Sequence, residues 1–120
     1  MKLAPDLEAA SWLDALAGEP ENFDWDAGNQ AKNRKHRVEP ENIEAMFRRP
    51  RFIVFGGRIV EPAHDEPRWL VLGQDDKRRR LALVLTRRGD RLRPISCRPM
   101  RRQERAVYEE AINQQGQEGN

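Results

Sequence analysis

The chain has 120 residues, of which 35% are charged and 38% hydrophobic, and its formal net charge at pH 7 is +2. This length fits one domain with one modest core, and no apolar run approaches the roughly 20 residues of a membrane span or resembles a secretory signal, so we expect a cytoplasmic protein. One cysteine and two separated histidines exclude a disulfide framework and an ordinary zinc site, and we expect neither a metal nor another cofactor.

The first predicted element is an acidic helix over residues 5–17. Pro5 suits the first helical turn, an apolar stripe follows at helical spacing, and Gly18 ends the helix. Residues 1–26 carry one basic and seven acidic side chains. We therefore interpret residues 1–20 as an acidic helical extension, which either docks on the core or masks a basic face.

A short strand and two helices are predicted next. Residues 23–25 alternate apolar and polar side chains, as in a half-buried strand. Asp26 is a good N-cap for a helix over residues 27–36. Pro40 then opens a second helix, which ends before Pro50.

Four strand-like runs follow, and turn residues separate them. They cover residues 52–55, 69–73, 81–86 and 92–97. The run at 81–86 is apolar on both faces and should be central in the sheet. A helix over residues 101–112 closes the domain, and the polar residues 113–120 are expected to be a disordered tail. Short links make the sheet mainly antiparallel, which predicts an α+β fold with helices packed on one side of a small sheet.

Positive charge is concentrated in residues 77–105. This stretch holds twelve basic and two acidic side chains, and 18 of the 22 basic residues of the chain are arginine. Arginine binds phosphate through a planar, bidentate fork. Such a cluster repels itself unless it is spread over a surface or matched by an anionic partner. We therefore expect the charge either to be spread over the surface or to bind an anionic partner, for which arginine favours a phosphate.

Three segments carry a resemblance to a known family. They read FDWDAGNQAKNRKHRV at 23–38, AHDEPRWLVLG at 63–73 and RRGDRLRPISCRPMRRQERAVY at 87–108. In this order and spacing they resemble the BrnT family of toxins from type II toxin–antitoxin modules. The run Arg93-Pro94-Ile95-Ser96-Cys97-Arg98, followed by Glu104 and Tyr108, is the strongest part of the match.

The resemblance implies a RelE-like fold for a toxin domain over residues 21–112. It also implies a metal-independent endoribonuclease that inhibits translation. The implied partner is a BrnA-like antitoxin with a ribbon-helix-helix domain, and promoter DNA is contacted only through the toxin–antitoxin complex. Two departures from the family pattern stand out. Arg37 occupies the position of a usual glycine, where a left-handed helix end would strain an arginine, and the loop before Arg68 is shortened.

Metal-free RNA cleavage needs proton transfer and stabilisation of the charge on the phosphate. The residues that supply these functions in the resemblance are His36, Glu66, Arg68, Arg98 and Tyr108. The basic residues expected to bind RNA are Lys35, Arg87, Arg91, Arg93, Arg101 and Arg102.

Structural roles stay open for several of these residues. His36 can cap its helix, Glu66 can simply pair with Arg68, and Tyr108 can lie in the core. Cys97 is interpreted as core packing. The alternative function for the whole chain is a non-catalytic or degenerate module that binds RNA or DNA.

Overall fold

The computed structural model describes residues 1–16 and 22–118, with side chains to residue 115. Within these residues five strands form one antiparallel sheet in the order β1-β2-β3-β4-β5. Their bounds are β1 Lys2–Ala4, β2 Val54–Glu61, β3 Trp69–Gln74, β4 Arg80–Arg88 and β5 Arg91–Pro99. The helices are α1 Leu7–Leu16, α2 Ala27–Ala31, α3 Pro40–Phe47 and α4 Arg102–Glu118, with short 3-10 turns at Arg34–His36 and Pro50–Phe52. The predicted α+β class is confirmed.

The sheet separates two hydrophobic clusters. Val71, Leu83 and Leu85 face α1 and α3, while their neighbours Leu70 and Leu72 face α4. Because side chains alternate along a strand, β3 is buried on both faces. The prediction of helices on one side of the sheet therefore holds for α1 and α3 but not for α4.

Strand β2 is longer than predicted. The run at 52–55 was expected to end at Gly56 and Gly57, but β2 continues to Glu61 because it pairs with β1 on one side and β3 on the other. Gly57 has φ +129°, and a Cβ there would lie 2.8 Å from the carbonyl oxygen of Ala4. The glycine thus permits the close approach of β1 instead of ending the strand.

The helix predicted over residues 27–36 is divided into α2 and the turn Arg34–His36. Two asparagines explain the break, because they bond the outer edge of β5. Asn29 donates to the Pro94 carbonyl at 3.1 Å, and Asn33 accepts from the Cys97 N–H at 2.9 Å. The segment therefore follows the edge of the sheet and covers an otherwise open strand. The strand predicted at 23–25 is reduced to a parallel bridge between Phe23 and Leu92.

The N-terminal residues are part of the core. Ala9 and Leu13 of α1 are buried in the cluster under the sheet, and the Trp12 ring meets Trp69 edge-to-face at 4.9 Å. Asp6 caps α1 through the Ala9 N–H. Of the two roles considered for this extension, the structure shows docking on the core.

Helix α4 is longer than the predicted 101–112. It continues through Glu118, where the sequence predicted disorder from residue 113. Asn113, Gln114 and Gln115 are exposed, so they extend the helix without burying apolar side chains. Glutamine is also a good helix former. The last two residues of the predicted tail lie outside the described residues. Each helix that the structure describes is too short or too polar to cross a bilayer.

Candidate active site

A row of polar side chains crosses three strands on the α4 face of the sheet. Thr86 of β4 is paired with Arg93 of β5. Trp69 is paired with Leu85, which places Arg68 level with Thr86. The Thr86 hydroxyl donates to the Pro67 carbonyl at 2.7 Å and fixes the loop that carries Arg68. Two arginines are thus held by rigid elements on either side of a threonine.

Arg68 and Arg93 of this row line a cavity of about 260 Å³. Its charged lining consists of Lys32, Glu66, Arg68, Arg88 and Arg93. The lining carries four cations and one carboxylate, and the neighbouring Asp24 and Asp26 pair with Arg88 and Arg93, so a small excess of positive charge remains at the cavity. Its size suits a phosphate group with part of a nucleotide. Glu66, Arg68 and Arg93 were predicted from the sequence, and the structure brings these three together.

Two aspartates orient Arg93. Its Nη2 lies 2.8 Å from Oδ2 of Asp26, and its Nη1 lies 3.7 Å from Oδ2 of Asp24. Asp26 also accepts from the backbone N–H groups of Gly28 and Asn29 and caps α2. The hydrogen bond from the Asn29 N–H and then that from Arg93 lower the pKa of Asp26. The cap of α2 and the position of Arg93 are therefore coupled.

Each of the two arginines has one nitrogen without a hydrogen-bond partner among residues 1–16 and 22–118. Arg68 Nε and Arg93 Nη1 are buried and have no hydrogen-bond partner in the structure. The ion pair of Arg68 with Glu66 is long, at 3.8 Å. A buried donor without a partner costs about 1–3 kcal/mol.

Arg98 lies outside this cavity, although it faces the same side of the sheet. It is paired with Ala82 in the strand register, and its Nη1 and Nη2 bind the Glu104 carboxylate at 2.7 and 3.0 Å. The hydrogen bonds that Arg98 donates to Glu104 raise the pKa of Arg98. Burial raises the pKa of Glu104, but its hydrogen bonds from Arg98 and from the Arg101 N–H more than offset this, and the net shift is downward. Glu104 thus stays ionised and holds the Arg98 guanidinium in one orientation.

Tyr108 belongs to α4, and its side chain is fully buried between the helix and the sheet. Its hydroxyl donates to the Phe52 carbonyl at 2.6 Å, and burial raises the pKa of the phenol. The environment is that of a core residue. His36 is half-buried at the end of the turn Arg34–His36, on the segment that follows β5, and it is not part of the described lining of the cavity.

The predicted RNA-binding residues are distributed over the surface. Arg87 lies over the Trp12 ring at 5.0 Å and donates to the Gly89 carbonyl at 2.6 Å. The remaining predicted contacts outside the cavity are exposed, and they are Lys35, Arg91, Arg101 and Arg102. Such side chains can add electrostatic attraction for a polyanion.

Sequence reasoning missed Lys32 and Arg88 as cavity residues and Asp26 as a partner of Arg93. Lys32 reaches the cavity because α2 lies against β5, a tertiary contact that the local pattern does not contain. For Arg88, the two-residue turn between β4 and β5 was the available signal, since it pairs Arg88 with Arg91 and places it one alternation beyond Thr86.

The structure therefore defines a small α+β protein with an antiparallel sheet and two arginines at a basic, polar cavity. The family model of the BrnT ribonuclease toxin of type II toxin–antitoxin systems matches residues 25–104. The chain therefore belongs to the BrnT family of ribonuclease toxins. A comparison with curated proteins found no match.

The matched residues contain all five charged side chains that line the cavity. They also contain Arg98 and Glu104, while β1, α1 and Tyr108 lie outside the match. Membership in a type II toxin family implies an RNA target and an antitoxin partner.

Proposed function

We propose that this toxin is a metal-independent endoribonuclease whose reaction takes place in the cavity between Arg68 and Arg93. The observation that carries the proposal is that Arg68 and Arg93 line one basic cavity, and that each has a guanidinium nitrogen without a hydrogen-bond partner among the described residues. Cleavage of cytoplasmic RNA there would inhibit translation. A BrnA-like ribbon-helix-helix antitoxin would neutralise the toxin, and promoter DNA would be bound through that complex.

The chemistry follows from the charges at the cavity. The 2′-hydroxyl of the RNA attacks the adjacent phosphorus, and the Glu66 carboxylate takes the hydroxyl proton. Arg68 and Arg93 stabilise the negative charge that develops on the phosphoryl oxygens. Lys32, on the same lining, donates a proton to the departing 5′-oxygen, and the proton taken by Glu66 returns to Lys32 through solvent. The products are a 2′,3′-cyclic phosphate and a 5′-hydroxyl.

Residues outside the cavity have supporting roles in this proposal. Arg98, held by Glu104, binds the neighbouring phosphate of the strand. His36 contacts the RNA from the segment along β5, or it caps its own turn. Tyr108 acts by packing, since its hydroxyl is already bonded to Phe52.

Substitution of Arg93 tests the proposal. Arg93→Ala should reduce cleavage of single-stranded RNA by a hundred- to thousandfold, because one preorganised donor to a developing charge contributes about 3–4 kcal/mol. Arg93→Lys should also be impaired, since it keeps the charge but loses the planar fork. Cleavage is measured on a labelled oligonucleotide, and growth is followed after induction.

Arg48→Ala is the matched control, because Arg48 is exposed and does not line the cavity. Circular dichroism and co-purification with the antitoxin verify the fold of each variant. A folded Arg93→Ala protein with the parent's cleavage rate would exclude this cavity as the site. A parent protein that binds RNA but cannot cleave it would favour the non-catalytic module.

A further inference from the structure

We propose a second phosphate-binding site, the distal arginine site, formed by Arg78, Arg79, Arg80 and Arg105. It would hold the RNA backbone several nucleotides away from the cleaved bond. The inference rests on the proposed function, because it takes single-stranded RNA as the ligand.

The four arginines converge on one cavity of about 270 Å³. Leu81, Pro99 and Met100 complete its lining and provide an apolar wall beside the cations. Guanidinium groups against a low-dielectric surface attract phosphate more strongly than the same groups in open water.

The turn that carries three of these arginines is organised by a buried carboxylate. Asp75 is fully buried, and its Oδ1 accepts from the backbone N–H groups of Lys77 and Arg79 at 3.0 and 2.9 Å. Its Oδ2 accepts from Arg79 Nε at 2.8 Å, and its carbonyl accepts from Arg49 at 3.1 Å. A turn held in this way needs little further ordering of its backbone on binding.

The turn includes a strained residue at its tip. Arg78 has φ +63°, a left-handed conformation that costs an L-residue about 1–2 kcal/mol and that glycine adopts freely. The chain thus has an arginine at a position where the backbone conformation favours glycine. Strain of this kind is concentrated at functional sites.

Positive charge is in excess at this site. Arg79 is paired with Asp75, and Arg80 is paired with Glu109 of α4. Arg78 and Arg105 are exposed and form no ion pair among the described residues. Two of the four cations are therefore available to a phosphate backbone.

The position of the site relative to the catalytic cavity suits one extended ligand. Arg80 begins β4 and Arg88 ends it, so the two sites are about 26 Å apart at about 3.3 Å per residue. A stacked single strand advances about 3.4 Å per nucleotide and would span this distance with about eight nucleotides. Arg93 and Arg98 of β5 are paired with Thr86 and Ala82, on the face of β4 that also carries Arg80. Cations thus mark the path between the two ends.

The test compares two lengths of 2′-O-methyl RNA, which cannot be cleaved. One single strand has about four nucleotides and fits the catalytic cavity alone, and the other has about 20 and reaches both sites. Affinity is measured at several salt concentrations for the parent and for the double variant Arg78→Gly with Arg105→Gln. Both substitutions suit their backbones, since glycine relieves the left-handed turn and glutamine is a good helix former.

For the long strand, the double variant should bind about tenfold more weakly. Its log–log salt slope should be smaller by about 1.4, since each lost phosphate contact removes about 0.7. Binding of the short strand should not change. The matched control Arg34→Gln with Arg48→Gln removes the same charge from exposed positions outside both cavities, and it should bind both strands like the parent.

Three results would overturn the distal site. In the first, the double variant binds the long strand with the same salt slope as the parent. In the second, the double variant loses the same affinity for the short strand as for the long strand. In the third, the control variant loses as much affinity for the long strand as the double variant does. If the parent binds the short strand as tightly as the long one, the distal site is refuted and the proposed function is not. A parent that binds neither strand refutes the proposed function as well.

Discussion

Arg37 has a backbone conformation that is unfavourable for an arginine. It follows the turn Arg34–His36 with φ 58° and ψ 35°, in the left-handed region. The family pattern predicts glycine here, and the structure confirms the strained helix end that was expected. Arg79 Nη1 donates to the Arg37 carbonyl at 3.0 Å, a contact that any side chain at this position retains.

Arg37→Gly should therefore stabilise the protein. Removal of the left-handed penalty, partly offset by the greater backbone entropy of unfolded glycine, should raise the free energy of unfolding by about 1 kcal/mol. Urea denaturation measures the change. Arg34→Gly is the control, since Arg34 lies within the 3-10 turn and glycine there should cost about 0.5–1 kcal/mol. A less stable Arg37→Gly protein would contradict the strain.

The sequence predicted whether single side chains are buried better than it predicted which side chains they contact. Cys97 was expected in the core, and it is buried in the cluster under the sheet, where burial raises the pKa of its thiol to about 12. The partners of the arginines were not predictable. Asp26 and Arg93 are distant in the sequence and meet because α2 lies along β5, while Glu104 meets Arg98 because α4 begins directly after β5.

At the element scale, Glu104 links a strand to the start of a helix. It stands three residues after Arg101, accepts the Arg101 N–H at 2.8 Å, and binds Arg98 through both oxygens. The return of a first-turn glutamate to the N-cap N–H is half of a capping box. One carboxylate therefore fixes the origin of α4 relative to β5.

Glu104→Gln should destabilise the protein at neutral pH by about 1–3 kcal/mol, because the charged hydrogen bonds are lost while the shape is kept. The pKa of Glu104 is lower in the folded chain than its ordinary value of 4.5. Its contribution is thus complete above about pH 4.5 and is lost as pH falls through the folded-state pKa. Chemical denaturation at neutral pH and at about pH 3 should show a difference from the parent that shrinks with acid. Glu110→Gln, at an exposed position of α4, should show no such difference.

The boundaries of helices and strands were predictable where local residues mark them. Helix α3 and strands β3, β4 and β5 agree with the predictions because a proline, turn residues and apolar runs mark them locally. Strand β1 was not predicted because its three residues form a strand only beside β2. The full length of β2 was missed because Gly57 is a site of close approach and not of termination.

In the molecule as a whole, the two faces of the sheet differ in what they contact. The face with α1 and α3 holds the larger buried cluster. The other face carries α4 over Leu70, Leu72 and Ala82, and the end of the sheet with Arg68 and Arg93 borders the polar cavity. The central position of 81–86 was predictable from its apolar faces. The presence of α4 on the second face was not, because an amphipathic helix does not reveal which side of a sheet it covers.

The N-terminal segment lies outside the family match, yet it contributes to the larger cluster. Leu13 is 3% exposed, and Trp12 contacts both Trp69 and Arg87. Trp69 also donates its indole N–H to Asp6 at 2.9 Å. The segment is therefore expected to unfold together with the sheet and not as a separate unit.

Leu13→Ala tests this cooperativity. Removal of a buried leucine side chain leaves a cavity and should reduce the free energy of unfolding of the whole protein by about 2–4 kcal/mol. The loss should appear in one transition, with the same midpoint for tryptophan fluorescence and for far-ultraviolet circular dichroism. Leu7→Ala is the matched control on the same helix, because Leu7 is 87% exposed and its loss should change stability by less than about 0.5 kcal/mol. If Leu13→Ala were as stable as the parent, or melted α1 in an earlier transition while the sheet remained, residues 1–16 would be a detachable extension and not part of the core.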